Sequence, residues 1–168
     1  MEKNLPYVLL NARKADMVSY VEAHPEVFEE LMDLAVSGTD HLSWRAAWLL
    51  WSCMEENDHR LQRFIPRILD AIPEKEDSHK RELFLVLLKM ELNEQEEGIL
   101  FDLCVRVWED TRKKPSVRHG AFRLIIKIAR RYPELMDEIG YLTGHPYVET
   151  LSAGVKRSVM KLNDSLSA

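Results

Sequence analysis

The stretch SWRAAWLLWSCM, residues 43–54, decides how the chain reads. Trp44, Ala47, Trp48 and Trp51 recur at i, i+3, i+4 and i+7, the spacing that stacks side chains on one face of an α-helix. Weaker copies of this pattern follow. Aligning them sets Trp44 with His79, Val117 and Leu151, then Trp48 with Leu83, Ala121 and Val155, then Ser52 with Leu87, Ile125 and Val159. Successive copies lie 35, 38 and 34 residues apart, although matching Lys156 with Arg118 is an alternative register for the last. A period of this length built from two helices is what α-helical repeat arrays show. As structure, the tryptophan stripe is core buried between stacked helices. As function, it is an aromatic groove for a base, sugar or cation, and the packing a repeat requires favours core.

On either side, helix signals dominate. Leu9, Met17, Tyr20 and Val21 predict one short N-terminal capping helix. His24-Pro25-Glu26 starts the next, with Pro at the first helical position and Glu26, Glu29 and Glu30 at the positive end of the dipole. Gly38 ends it, and Asp40 or Ser43 caps the tryptophan helix. Asp58 opens a third element that Pro66 interrupts; Asp77 or Ser78 caps its partner. Asn93 with Glu96 makes a capping box, Val117–Ile128 a long apolar helix, and Tyr132-Pro133-Glu134 another start. A last helix after His145-Pro146 runs to about Leu162. No segment alternates with period two, so the expectation is all-α with eight or nine helices.

Composition agrees. The 168 residues are 46% hydrophobic and 30% charged, with few Gly and Pro, as in one soluble domain. Cys53 and Cys104 sit in apolar helical patterns, consistent with buried thiols in a reducing compartment, with one disulfide as the alternative. No apolar run suits a signal peptide or a membrane span, so no membrane partner and a cytoplasmic location are expected. Residues 1–110 carry 12 basic and 23 acidic side chains, a net of −11; residues 111–168 carry 11 and 5, a net of +6.

Three segments carry a resemblance. FIPRILDAI at 64–72 resembles the Pro-containing first helix of HEAT repeats, and SVRHGAFRLIIKIA at 116–129 resembles the second, to which SWRAAWLLW at 43–51 is also similar. The resemblance to this HEAT-like, armadillo-type family covers residues 24–165 as four degenerate repeats, 24–56, 57–92, 93–131 and 132–165. It implies a single domain over 1–168: a right-handed α-α superhelix (HEAT-like solenoid) of about four helix pairs after a cap at 1–23, with second helices lining a concave face. It implies a non-catalytic scaffold for protein–protein interaction. An alternative is an enzyme resembling the HEAT-like alkylpurine DNA glycosylases, although no Asp here matches that family's catalytic one by motif.

The six histidines, His24, His41, His59, His79, His119 and His145, show no metal-ligand spacing, and there is no phosphate loop or nucleophile elbow. No catalytic residue, metal or cofactor is therefore expected. Binding residues are sought among the cations. Eight lie between Thr111 and Tyr132; of these, Arg123, Lys127 and Arg130 share one helical face, and Arg118 belongs to the same block. Arg45 lies off the tryptophan stripe as a candidate groove residue. The block is either a solvated face neutralised by Glu134, Asp137 and Glu138, or a docking site for an acidic protein, including the acidic half of another copy. Nucleic acid ranks second, because the chain is acidic overall and lacks interleaved aromatics.

Overall fold

The computed structural model describes residues 4–167, which form eleven α-helices joined by 3-10 turns and loops, with no strand among them. The all-α expectation holds. The chain divides into two compact units, residues 1–91 and 92–168.

The first unit contains α1 (Leu5–Asn11), α2 (Lys14–Ala23), α3 (Phe28–Ser37), α4 (His41–Cys53), α5 (Ile65–Ala71) and α6 (Asp77–Leu88). The N-terminal stretch makes two helices instead of one, since the backbone is extended at Ala12 (ψ 158°) and Arg13 (ψ 161°). Asn4 caps the first by accepting from the Tyr7 N–H at 3.0 Å. Asp40 caps α4, accepting from the Ser43 N–H at 2.9 Å. Gly38 ends α3 in extended backbone, not the left-handed form; a Cβ there would collide with the Ser43 Oγ. Pro66 acts as anticipated: a 3-10 turn over His59–Phe64 precedes α5, whose second residue it is. The caps of α6 differ by one residue from the expectation, with Glu76 at the N-cap.

The buried face of α4 is Ser43, Ala46, Ala47, Leu49 and Leu50, packed against α3 and α6. This rotates the expected stripe: Ala47 belongs to the core, whereas Trp44, Trp48 and Trp51 flank it and are half-buried. Small residues let the neighbouring helices approach α4 closely, and there is no room on that seam for indoles.

The second unit contains α7 (Glu94–Glu109), α8 (Pro115–Ala129), α9 (Met136–Leu142), α10 (His145–Val148) and α11 (Ala153–Asp164). The Asn93–Glu96 capping box forms in full. Trp108 is fully buried; its Nε1 donates to the Leu142 carbonyl at 2.8 Å. Helix α8 packs against α7 and α11 and is the core of this unit, with Val117, Ala121, Phe122, Leu124 and Ile125 all at zero exposure.

Within each unit, polar ties join residues about one repeat apart. Arg63 pairs with Glu29 and Arg67 with Asp33, each 34 residues apart. Lys75 donates to the Val36 carbonyl across 39, and Arg131 donates to Glu97 across 34. These separations of 34 and 39 residues lie at or within one residue of the 34–38-residue period of the sequence.

Candidate interaction surfaces

Helix α8 starts at Pro115, whose missing N–H costs nothing at that position. Most of its circumference is buried, which leaves one narrow strip of Ser116, His119, Arg123, Lys127 and Arg130. Arg123 and Arg130 are exposed and Lys127 is half-buried, so the structure does bring these three together. Glu134, Asp137 and Glu138 are exposed on the following elements. Among the described residues none of them forms an ion pair with Arg123 or Arg130. Arg130 donates instead to the Ser165 hydroxyl at 3.0 Å.

Helix α11 lies beside this strip, joined to it by His119, whose Nε2 meets the Ser158 Oγ at 2.9 Å. Burial and the Arg123 charge both push the His119 pKa down, as a local positive field would. Lys156, Arg157 and Lys161 of α11 are exposed. The exposed surface of this helix pair thus carries cations from both helices. The signal for the α11 cations lay in the +6 balance of residues 111–168.

Arg118 is placed elsewhere and does not share that surface. It is fully buried: Nε donates to the Trp108 carbonyl at 2.8 Å, and a terminal nitrogen donates to the Tyr147 carbonyl at 2.6 Å. The other terminal nitrogen reaches the Thr150 hydroxyl at 3.4 Å, and the guanidinium carbon stands 4.6 Å from the centroid of the Trp108 ring. Burial lowers its pKa from the ordinary guanidinium value. Its donors are spent inside the fold, tying the last turn of α7 to α10.

Arg45 is half-buried on α4 and reaches back to the N-terminal helices, donating to the Ala12 carbonyl at 3.5 Å and to the Met17 Sδ at 3.6 Å. Its Nε is buried without a partner. Against the same helix, the Nζ of Lys14 from α2 sits 5.1 Å from the Trp48 ring centroid and 5.8 Å from that of Trp51. Trp51 donates from Nε1 to the Glu82 Oε2 at 2.6 Å. Sequence periodicity found these tryptophans but assigned them to the core; nothing local links them to Lys14.

Cys53 and Cys104 are free thiols, both with pKa values raised by burial, Cys53 to about 11. Among the described residues no group of three or more His, Cys, Asp or Glu side chains is placed to hold a metal ion, and no helix is long and apolar enough to cross a membrane.

No curated protein and no solved structure matches the chain. A family profile described as a HEAT repeat domain matches residues 1–165, nearly the whole length. With the helix pairs and the repeat-length ties, this match establishes that the chain belongs to the HEAT repeat family.

Proposed function

We propose that the chain is a non-catalytic scaffold whose α8–α11 surface docks an acidic face of a partner protein. One observation carries this reading: Arg123 and Arg130 are exposed with no carboxylate among the described residues paired to them, beside a second helix that exposes Lys156, Arg157 and Lys161. Cations already neutralised within the fold have little to offer a partner, and these are not so neutralised. Arg118 and Arg45 are omitted from the docking set because their donors are turned inward.

The test uses a fluorescein-labelled oligo-glutamate of 20 residues, followed by anisotropy at low salt. Wild type binds it with an affinity that falls as salt rises. Changing Arg123, Lys127 and Arg130 together to Glu weakens binding by at least about tenfold, equivalent to ~1.4 kcal/mol, while Arg106→Glu, an exposed control on α7, changes it little. Equal binding by the triple variant overturns the reading. Tighter binding of single-stranded DNA than of oligo-glutamate at every salt concentration moves the argument to the nucleic-acid enzyme alternative, and concentration-dependent dimerisation lost in the triple variant moves it to self-association.

A further inference from the structure

In the first unit, His41, Trp44, Trp48 and Trp51 stand at i, i+3, i+7 and i+10 of α4, a row roughly 15 Å long at ~1.5 Å per residue. All three tryptophans are half-buried, so the row borders the core on one side and solvent on the other. Lys14, at the first position of α2, lies with its ammonium within about 6 Å of two of the ring centroids, the range of a cation–π contact. Among the described residues no carboxylate pairs with Lys14. Lys14 is an exposed residue, so this contact lies at the solvent edge of the row.

Glu82 strengthens them. Its side chain is only 2% exposed, and its Oε2 accepts the Trp51 indole proton at 2.6 Å. A carboxylate acceptor draws the N–H bond toward itself and leaves more electron density on the indole, which deepens the negative potential over the ring face. At the other end of the row, His41 stacks on Trp44 at 5.3 Å. There a cavity of about 360 Å³ is bordered by Trp44, His41, Asp40, Glu76 and His79. It offers an aromatic ring and two carboxylates, and no lysine or arginine lines it.

We propose that the aromatic row of α4 is a binding site for lysine side chains of a partner polypeptide, with Lys14 filling the Trp48–Trp51 subsite in cis. The occupant follows from the chemistry. A primary ammonium already stands against the rings there, supplied by the chain itself, and the second subsite sets the Trp44 side chain beside two carboxylates that suit the same group. Lys14 stands on a separate short helix at the N-terminal side, so an incoming lysine competes with it for the two rings. This site is distinct from the basic α8–α11 surface and takes ligands of opposite charge.

Indole N–H signals in a ¹H–¹⁵N spectrum report on the site one tryptophan at a time, and the fully buried Trp108 serves as internal reference. The probe is a nine-residue peptide of alternating Gly and Lys, with a Gly/norleucine peptide as its uncharged counterpart. In Lys14→Ala the lysine peptide shifts the Trp48 and Trp51 signals at about tenfold lower concentration than in wild type, since the internal competitor is gone. It shifts Trp44 in both proteins, and Trp108 in neither. Glu82→Gln, with signal dispersion intact, weakens the Trp51 response. Equal shifts from the norleucine peptide would show simple apolar contact and overturn the proposal. So would unmoved signals in a Lys14→Ala protein whose spectrum remains dispersed, or shifts that follow protein concentration without peptide.

Discussion

Arg118 illustrates how far a single residue escapes its sequence context. In SVRHGAFRLIIKIA it reads as one more cation on an amphipathic helix, yet it is buried with its partners supplied by carbonyls 10 and 29 residues away. No local period encodes those partners. Removing the guanidinium strands the Trp108 and Tyr147 carbonyls and opens space against the indole. Arg118→Ala should therefore cost about 2–4 kcal/mol in denaturant unfolding, and Arg118→Lys should recover little, because one nitrogen does not reproduce the planar spread of Nε and the terminal nitrogens or the guanidinium's stacking on the Trp108 ring. A change below ~0.5 kcal/mol in Arg118→Ala would contradict the buried network. His79 gives a second prediction at this scale. It is buried, and its Nε2–H donates to the Ala35 carbonyl at 2.7 Å. Burial lowers its pKa, Lys75 adds to the lowering, and the Ala35 bond and Asp40 only partly oppose it. The unfolded chain binds a proton, from about pH 6.5 downward, that the folded chain resists, so stability is lost as pH falls through that window. His119 is shifted the same way. The denaturant midpoint should be lower at about pH 5.5 than at about pH 7.5, with a smaller difference in His79→Gln; a midpoint that rises on acidification would refute the sign.

Among the elements, α4 and α7 mark the two extremes of legibility. The start of α7 is written in adjacent residues: Asn93 accepts from the Glu96 N–H at 2.9 Å and Glu96 accepts from the Asn93 N–H at 3.0 Å. Asn93→Ala should cost about 1 kcal/mol, read from the thermal midpoint, since Ala removes the oxygen that accepts the Glu96 N–H and keeps only the backbone N–H that donates to Glu96. The rotation of α4 was not written locally. Both of its faces are apolar, and periodicity weights large residues, so the tryptophans outvoted Ala46, Leu49 and Leu50. Which face turns inward is decided by how closely α3 and α6 approach, a property of three helices at once. Where one face alone is apolar, the reading succeeded. Leu87 on α6 and Ile125 on α8 are both at zero exposure, and truncating either to Ala should lower stability by about 2–5 kcal/mol.

For the whole molecule, helix class and repeat period were legible because each repeat restates the same start, stripe and stop. The division into units at residues 91 and 92 was not, since the connection between α6 and α7 has no linker composition. The extra helices α2 and α10 are two or three turns or fewer, too short to impose a period of their own. Charge, by contrast, was informative over long range: the basic excess after residue 110 includes the exposed Arg123 and Arg130 and, on α11, the exposed Lys156, Arg157 and Lys161. The ties between repeats also have a temporal meaning. The bond from His79 to Ala35, the longest described above, spans only 44 residues. Each helix therefore finds its polar partners soon after it leaves the ribosome, within a few seconds at about 5–20 residues per second. The protein can assemble in the order in which it is made, and a newly synthesised helix need not wait for the end of the chain before its apolar face is covered.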